Sequence, residues 1–146
     1  MSQMPNPYGP SIGLEAARRV GGAAVADAAA NGWVIAVAVV DASGDLVFFE
    51  KMDGTQVGSI DVALGKARSA VRFKRPTKEW EDALAAGRNA VLGIPGVLPV
   101  QGGIPLLDGD GRIVGAIGVS GALPVQDGHS AEAGAVAFLA SPGPKR

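Results

Sequence analysis

Apolar and small residues recur at helical spacing near the start of the chain: Leu14, Ala17, Gly21, Ala24, Val25 and Ala28 form one stripe. Ser11 stands where a helix N-cap belongs, and Asn31-Gly32 is a stop, with Gly32 free to turn left-handed. The stripe is mostly small, so another backbone can come close. "WVIAVAVVD" is apolar at every alternate position on both faces, which predicts a strand covered on both sides. "DASGD" is a turn and "LVFFEKM" the return strand, with Phe48 and Phe49 on opposite faces. A second helix is predicted over 59–73, with Ile60, Ala63, Leu64, Ala67 and Val71 inward. Pro76-Thr77 breaks it, and a shorter helix covers 78–88. "LGIPGVLPVQGG" reads as a long loop. "IPLLD", "GDG" and "RIVGAIGVS" make a second hairpin, and "GALPVQDGHS" leads into a last helix with Ala131, Ala135, Phe138 and Leu139 inward.

The order is helix, hairpin, two helices, hairpin, helix. It predicts an α+β domain, an antiparallel sheet of about five strands with helices packed on it. "VVDASGDLVFF" and "LLDGDGRIVGA" echo each other as hairpins. Residues 1–10 hold three prolines and are expected to be a mobile arm, 11–140 one domain, and 141–146 a tail.

Composition narrows the class. The 146 residues are 47% hydrophobic and 18% charged, the balance of a soluble globular domain. Thirteen Lys plus Arg against fourteen Asp plus Glu give a net charge of -1, which does not suggest a nucleic-acid binder. The longest apolar run, near 33–40, is strand-length, so no membrane span is expected. Residues 1–10 have neither a basic region nor an apolar one of signal-peptide type, and cytoplasmic location is the default expectation. Cysteine is absent, which removes disulfides and thiolate ligands.

The stretch "LPVQGGIPLLDGDGRIVGAIGVSG" concentrates glycine and invites a nucleotide or calcium reading. Gly115, Gly118 and Gly121 are spaced G-x-x-G-x-x-G inside and after a strand, not G-x-G-x-x-G at a helix start. From Asp108, the fifth position of a calcium loop is Arg112 and the twelfth Val119, so neither charge nor geometry fits. "DGDG" is a hairpin turn. Gly102-Gly103 and the glycines over 118–121 either admit a ligand or neighbouring subunit to the backbone, or mark a bulge.

"VAVVDASGDLVFFEKMDG", "SIDVALGKARSAVRFKRPT", "GVLPVQGGIPLLDGDGRIVGAIGVSGA" and "QDGHSAEAG" together resemble the GlcG/HbpS family, over most of 14–138. The resemblance implies a compact α+β domain that assembles into dimers and often octamers, with haem or another tetrapyrrole as the best-known ligand. Haem is held through His, Cys, Met or Tyr. This chain offers one histidine, His129, and one tyrosine, Tyr8, with Met52 in "KMDG". The family usually carries an acidic residue in this part of the "QD" motif, so this histidine is a departure. His129 and Glu132 share a helix face, but two groups do not make a zinc site, and no metal site is expected.

The basic run Lys66, Arg68, Arg72, Lys74, Arg75 and Lys78 reads first as a solvated face. Arg68, Arg72 and Arg75 share a helical side, and their forks suit carboxylates such as haem propionates. Lys66 lies off that side, within the family-like "KAR" motif, and is the better pocket candidate. Ser120 presents a hydroxyl beside glycine amides. Asp127 is an acid–base candidate, though its plainer role is N-cap of the last helix. Catalytic candidates are therefore Lys66, Asp127 and Ser120. Ligand-binding candidates are Met52, Asp53, Lys66, Gly102, Gly103, Ser120, Gly121, Gln126 and His129, with the pocket expected near "MDG", "QGG" and "GVSG". The leading expectation is a small oligomeric protein that binds haem or another small anionic organic molecule. The alternatives are an enzyme on the same scaffold acting on a small carboxylate or hydrophobic metabolite, and a ligand-free assembly module.

Overall fold

The computed structural model describes residues 6–140. Their order is α1 (Leu14–Ala30), β1 (Ala36–Asp41), β2 (Leu46–Lys51), α2 (Ser59–Arg72), α3 (Thr77–Ala85), a short 3-10 turn (Asn89–Gly93), β3 (Gly103–Leu107), β4 (Ile113–Ser120) and α4 (Pro124–Ala140). The sheet has four strands in the order β2-β1-β4-β3, all pairs antiparallel, not about five. The nearest thing to a fifth strand is a single parallel bridge from Tyr8 to Ile113.

The sheet is covered on both faces. Val37, Val39, Ile117 and Val119 face α1 and α4, and pack on Ala17, Val20, Ala24, Ala28 and Ala131. Ala36, Ala38, Val40 and Ala116 face α2 and pack on Ala63, Ala67, Ala70 and Val71. This is why β1 is apolar at every position from Ala36 to Val40. Phe48 and Phe49 of β2 divide between the same two layers, as predicted. The α1 stripe differs at its ends: Val20 joins it fully buried, while Leu14 is half exposed. On α4 the inward residues are Asp127, Gly128, Ser130, Ala131 and Gly134. Ala131, Ala135 and Phe138 pack on the core as expected, while Leu139, also expected inside, is largely exposed.

The echo between the hairpins is a repeated turn. Asp41 Oδ1 accepts from the N–H groups of Ser43 and Asp45. Asp108 Oδ1 accepts in the same way from Asp110 and Arg112. Gly44 and Gly111 take positive φ, 85° and 76°, at matching places. An aspartate that bonds the donors two and four residues on, with a left-handed glycine, closes a three-residue hairpin loop. Asp41→Ala removes two of these bonds and is expected to lower stability by about 1 kcal/mol, while Asp41→Asn keeps most of it. Urea melts of the two variants check this.

Two local expectations change. The N-cap of α1 is Gly13, without a side-chain bond. Ser11 Oγ instead accepts from Ala42 N. Of the expected arm, residues 6–10 are described, and they are bonded to the fold. Ile113 N donates to Pro7 O, Gly9 N to Ile113 O, and Tyr8 OH to Val71 O at 2.7 Å. The folded unit therefore begins ahead of residue 11, and residues 1–5 and 141–146 lie outside the described part. Within those limits, no helix is long and apolar enough to cross a membrane.

Candidate functional site

The glycines of β3 and β4 bring α2 onto the sheet. A Cβ on Gly118 would meet Ala63 O and lie 2.5 Å from Ala67 N. One on Gly103 would meet Lys66 O, and one on Gly102, at φ +136°, would lie 2.9 Å from Lys66 Nζ. Gly121, at φ +137°, presses on Val34 O. The close approach expected at these glycines is real, and the approaching backbone is the protein's own.

Under this wall lies a buried ion pair. Lys66 Nζ donates to Val119 O at 2.8 Å and to Asp127 Oδ2 at 3.1 Å, with side-chain exposures of 1% and 3% for Lys66 and Asp127. Burial pushes the Lys66 ammonium down from its ordinary range, against the opposing attraction of Asp127. Burial likewise pushes the Asp127 carboxyl up, against Lys66 and backbone donors. Asp127 is not the N-cap: α4 starts at Pro124, and Asp127 Oδ1 reaches back to accept from Ala122 N at 3.0 Å. Leu123 N is taken by Gln126 Oε1. Asp127 thus fastens the start of α4 to β4 and α2 together.

In front of the wall is an open cleft of about 430 Å³ between α4 and the segment 101–104. Gly102, Gly103, Gly128 and the apolar side chains of Pro76, Ile104 and Val125 line it, with Lys78, Gln101, His129 and Glu132 as its polar groups. The floor is pinned from α3: Thr77 Oγ1 accepts from Gly103 N at 2.8 Å, and Glu81 Oε1 accepts from Gln101 N. Lys78 pairs on the solvent side with Asp82 at 2.9 Å. An exposed pair of this kind is weak, so the ammonium can be re-aimed at a ligand.

His129 is the polar group whose orientation is most tightly set. Its Nδ1 donates to Asp27 Oδ2 at 2.8 Å, and Ser130 Oγ donates to the same oxygen at 2.9 Å. Trp33 meets the imidazole edge-on, with ring centroids 5.5 Å apart. The side chain is still 61% exposed.

The candidate residues therefore separate into three places. Gly102, Gly103 and His129 line the cleft. Lys66 and Asp127 stand behind its wall. Ser120, Gly121, Met52 and Asp53 lie beyond, toward the β1–β2 end: Ser120 Oγ bonds Ser59 Oγ at 3.3 Å, and Met52 Sδ accepts from Ile35 N. Asp53 is exposed in a turn. So "QGG" reaches the cleft, while "MDG" and "GVSG" adjoin each other through Thr55 and Gly121. The arginines also part company. Arg68 Nε donates to Gly44 O, and Arg75 stacks on Trp80 at 4.5 Å. Asp27, Thr77 and Glu81 escaped sequence reasoning. Asp27 alone left a trace, as an acid beside the small stripe of α1.

Comparison with known proteins gives the same scaffold. The model of the family described as "Haem degrading protein HbpS-like" matches residues 12–136. Protein GlcG of Escherichia coli is 34% identical over 91 residues, 62% of this chain and 67% of that protein. A double mutant of Streptomyces reticuli HbpS is 35% identical, with a TM-score of 0.80 over 93% of each chain. A PduOC–haem complex is 27% identical, with a TM-score of 0.77 over 87% of this chain and 94% of that one. This chain belongs to the HbpS-like family.

Proposed function

We propose that the protein binds a haem-type tetrapyrrole, a flat, largely apolar molecule with carboxylate arms, in the cleft between α4 and segment 101–104. The observation that carries this reading is the make-up of the cleft. Pro76, Ile104 and Val125 offer apolar walls, the glycines a flat backbone surface, and Lys78 a cation at the rim. A volume of about 430 Å³ lies within the range of small-molecule sites. The donor set also suits the group, since His129 is among the side-chain types that hold haem iron. The PduOC relative, crystallised with haem, supports the same ligand class.

Lys66 and Asp127 serve this reading from behind the wall, where they set the position of Gly102 and of α4 without touching a ligand. Self-association belongs to the proposal too, as a dimer or larger assembly. Its support is the uncovered apolar end of α4, where Val136 and Leu139 are both more than half exposed. Ferric haemin titrated into the tag-free protein is expected to give a saturable Soret shift with one haem per cleft. Val125→Glu, which puts a carboxylate on an apolar wall, is expected to weaken binding at least tenfold (on the order of 1.4 kcal/mol). A linear, unsaturable absorbance change would refute the proposal.

A further inference from the structure

His129 is held in the manner of a ligating histidine. Its Nδ1 lies 2.8 Å from a carboxylate oxygen of Asp27, whose side chain is only 18% exposed. A carboxylate accepts, so Nδ1 carries the proton, and in the neutral ring Nε2 keeps its lone pair. Among the described residues nothing bonds Nε2, and the ring lines the cleft. A carboxylate or carbonyl at the far nitrogen is what fixes the tautomer and raises the basicity of a metal-bound imidazole. Asp27 does this across 102 positions of sequence, from α1 to α4, and Ser130 holds the same oxygen in place. Trp33 blocks rotation of the ring on another side.

The number of ligands decides what kind of metal is suited. A bare transition-metal ion takes three or four protein ligands. Among the described residues no group of three His, Cys, Asp or Glu side chains is assembled. A single oriented nitrogen suits a metal that brings an equatorial chelate of its own. Glu132, one turn further along α4 on the same cleft, contributes a carboxylate and no second nitrogen.

We infer that His129 Nε2 is the axial ligand of the iron in a cleft-bound metallotetrapyrrole, with Asp27 as the residue that positions it. The inference rests on the ligand class proposed above and adds the atom that bonds the metal. It also gives a purpose to a histidine on an exposed helix face: the ring is orientated from within the fold and presented outward.

The test exploits a property of the sequence, which contains one histidine. With the affinity tag removed, any iron–histidine bond must come from His129. The full chain, loaded with haemin and reduced, is examined by resonance Raman for the iron–histidine stretch. The stretch is expected in the unmodified protein, absent in His129→Ala, and restored in that variant by added imidazole. Asp27→Asn is expected to keep the stretch at lower frequency and to weaken haemin binding about 10- to 100-fold. His129 is solvent-facing, and circular dichroism of His129→Ala checks that the fold persists. Saturable haemin binding without an iron–histidine stretch would overturn the assignment to His129 while leaving the cleft as the haem site. Absence of saturable haemin binding would overturn both.

Discussion

Asp127→Ala is expected to cost about 3–5 kcal/mol of stability, and Lys66→Ala a similar amount, because each leaves its partner's charge buried and unpaired. The ammonium and carboxylate are 1% and 3% exposed and 3.1 Å apart, so water cannot take over for the missing partner. Asp127 also carries Ala122 N, and its loss frees the start of α4. The double variant Lys66→Met, Asp127→Asn removes both charges, keeps the aliphatic stem and keeps an acceptor for Ala122. It is expected to cost less than Lys66→Met and Asp127→Asn made singly and summed, by about 1–3 kcal/mol. Denaturant melts of the natural protein, these two single variants and the double variant give this coupling. Single losses under about 1 kcal/mol would show that the pair does not hold the two helices.

The pair has a pH signature. Asp127 is shifted up from 3.8, so between that value and its folded value the folded chain holds the extra proton. Its contribution is present below 3.8 and is lost as pH rises through the folded value. Lys66 is shifted down from 10.5, so its contribution is present above 10.5 and is lost as pH falls through the folded value. Relative to the double variant, the natural pair is therefore least favourable between the two windows. This is the behaviour of a device for specific geometry more than for stability.

Gly118→Ala is expected to be the most damaging single methyl in the sheet, at about 3 kcal/mol. Its Cβ would meet the α2 backbone at Ala63 O and Ala67 N, atoms that cannot swing aside as a side-chain tip can. α2 has small residues at Ala63, Ala67 and Ala70 for the same reason, so helix and strand approach almost backbone to backbone. Gly109→Ala is the control: nothing lies within 4 Å of its Cβ, and the change is expected to be near neutral. Thermal melts of the two proteins compare them directly. Equal midpoints would mean that α2 does not sit as close as 63–67 on β4 requires.

These residues also show what could be read from the chain before the fold. Alternation in "VIAVAVV" revealed a strand covered twice, and the paired "D…G" turns revealed two hairpins, because both signals are local. Gly102, Gly103 and Gly118 announced a close approach, but a glycine does not say what approaches it. The answer, Lys66 and its neighbours on α2, depends on how the helix crosses the sheet. Lys66 was singled out and its partner Asp127 noted separately; their pairing spans 61 residues and needs the topology β2-β1-β4-β3. His129 was visible as a lone histidine. Its meaning lies in Asp27, which belongs to the other end of the chain and is brought beside it only when α1 and α4 pack on the same sheet face.

The tetrapyrrole is expected to bind in the cleft between α4 and segment 101–104. Crystals of the protein grown with haemin and measured at the iron absorption edge are expected to show an anomalous iron peak in that cleft, between Ile104 and His129. An iron peak elsewhere on the chain, such as beside Met52 or Tyr8, would contradict it.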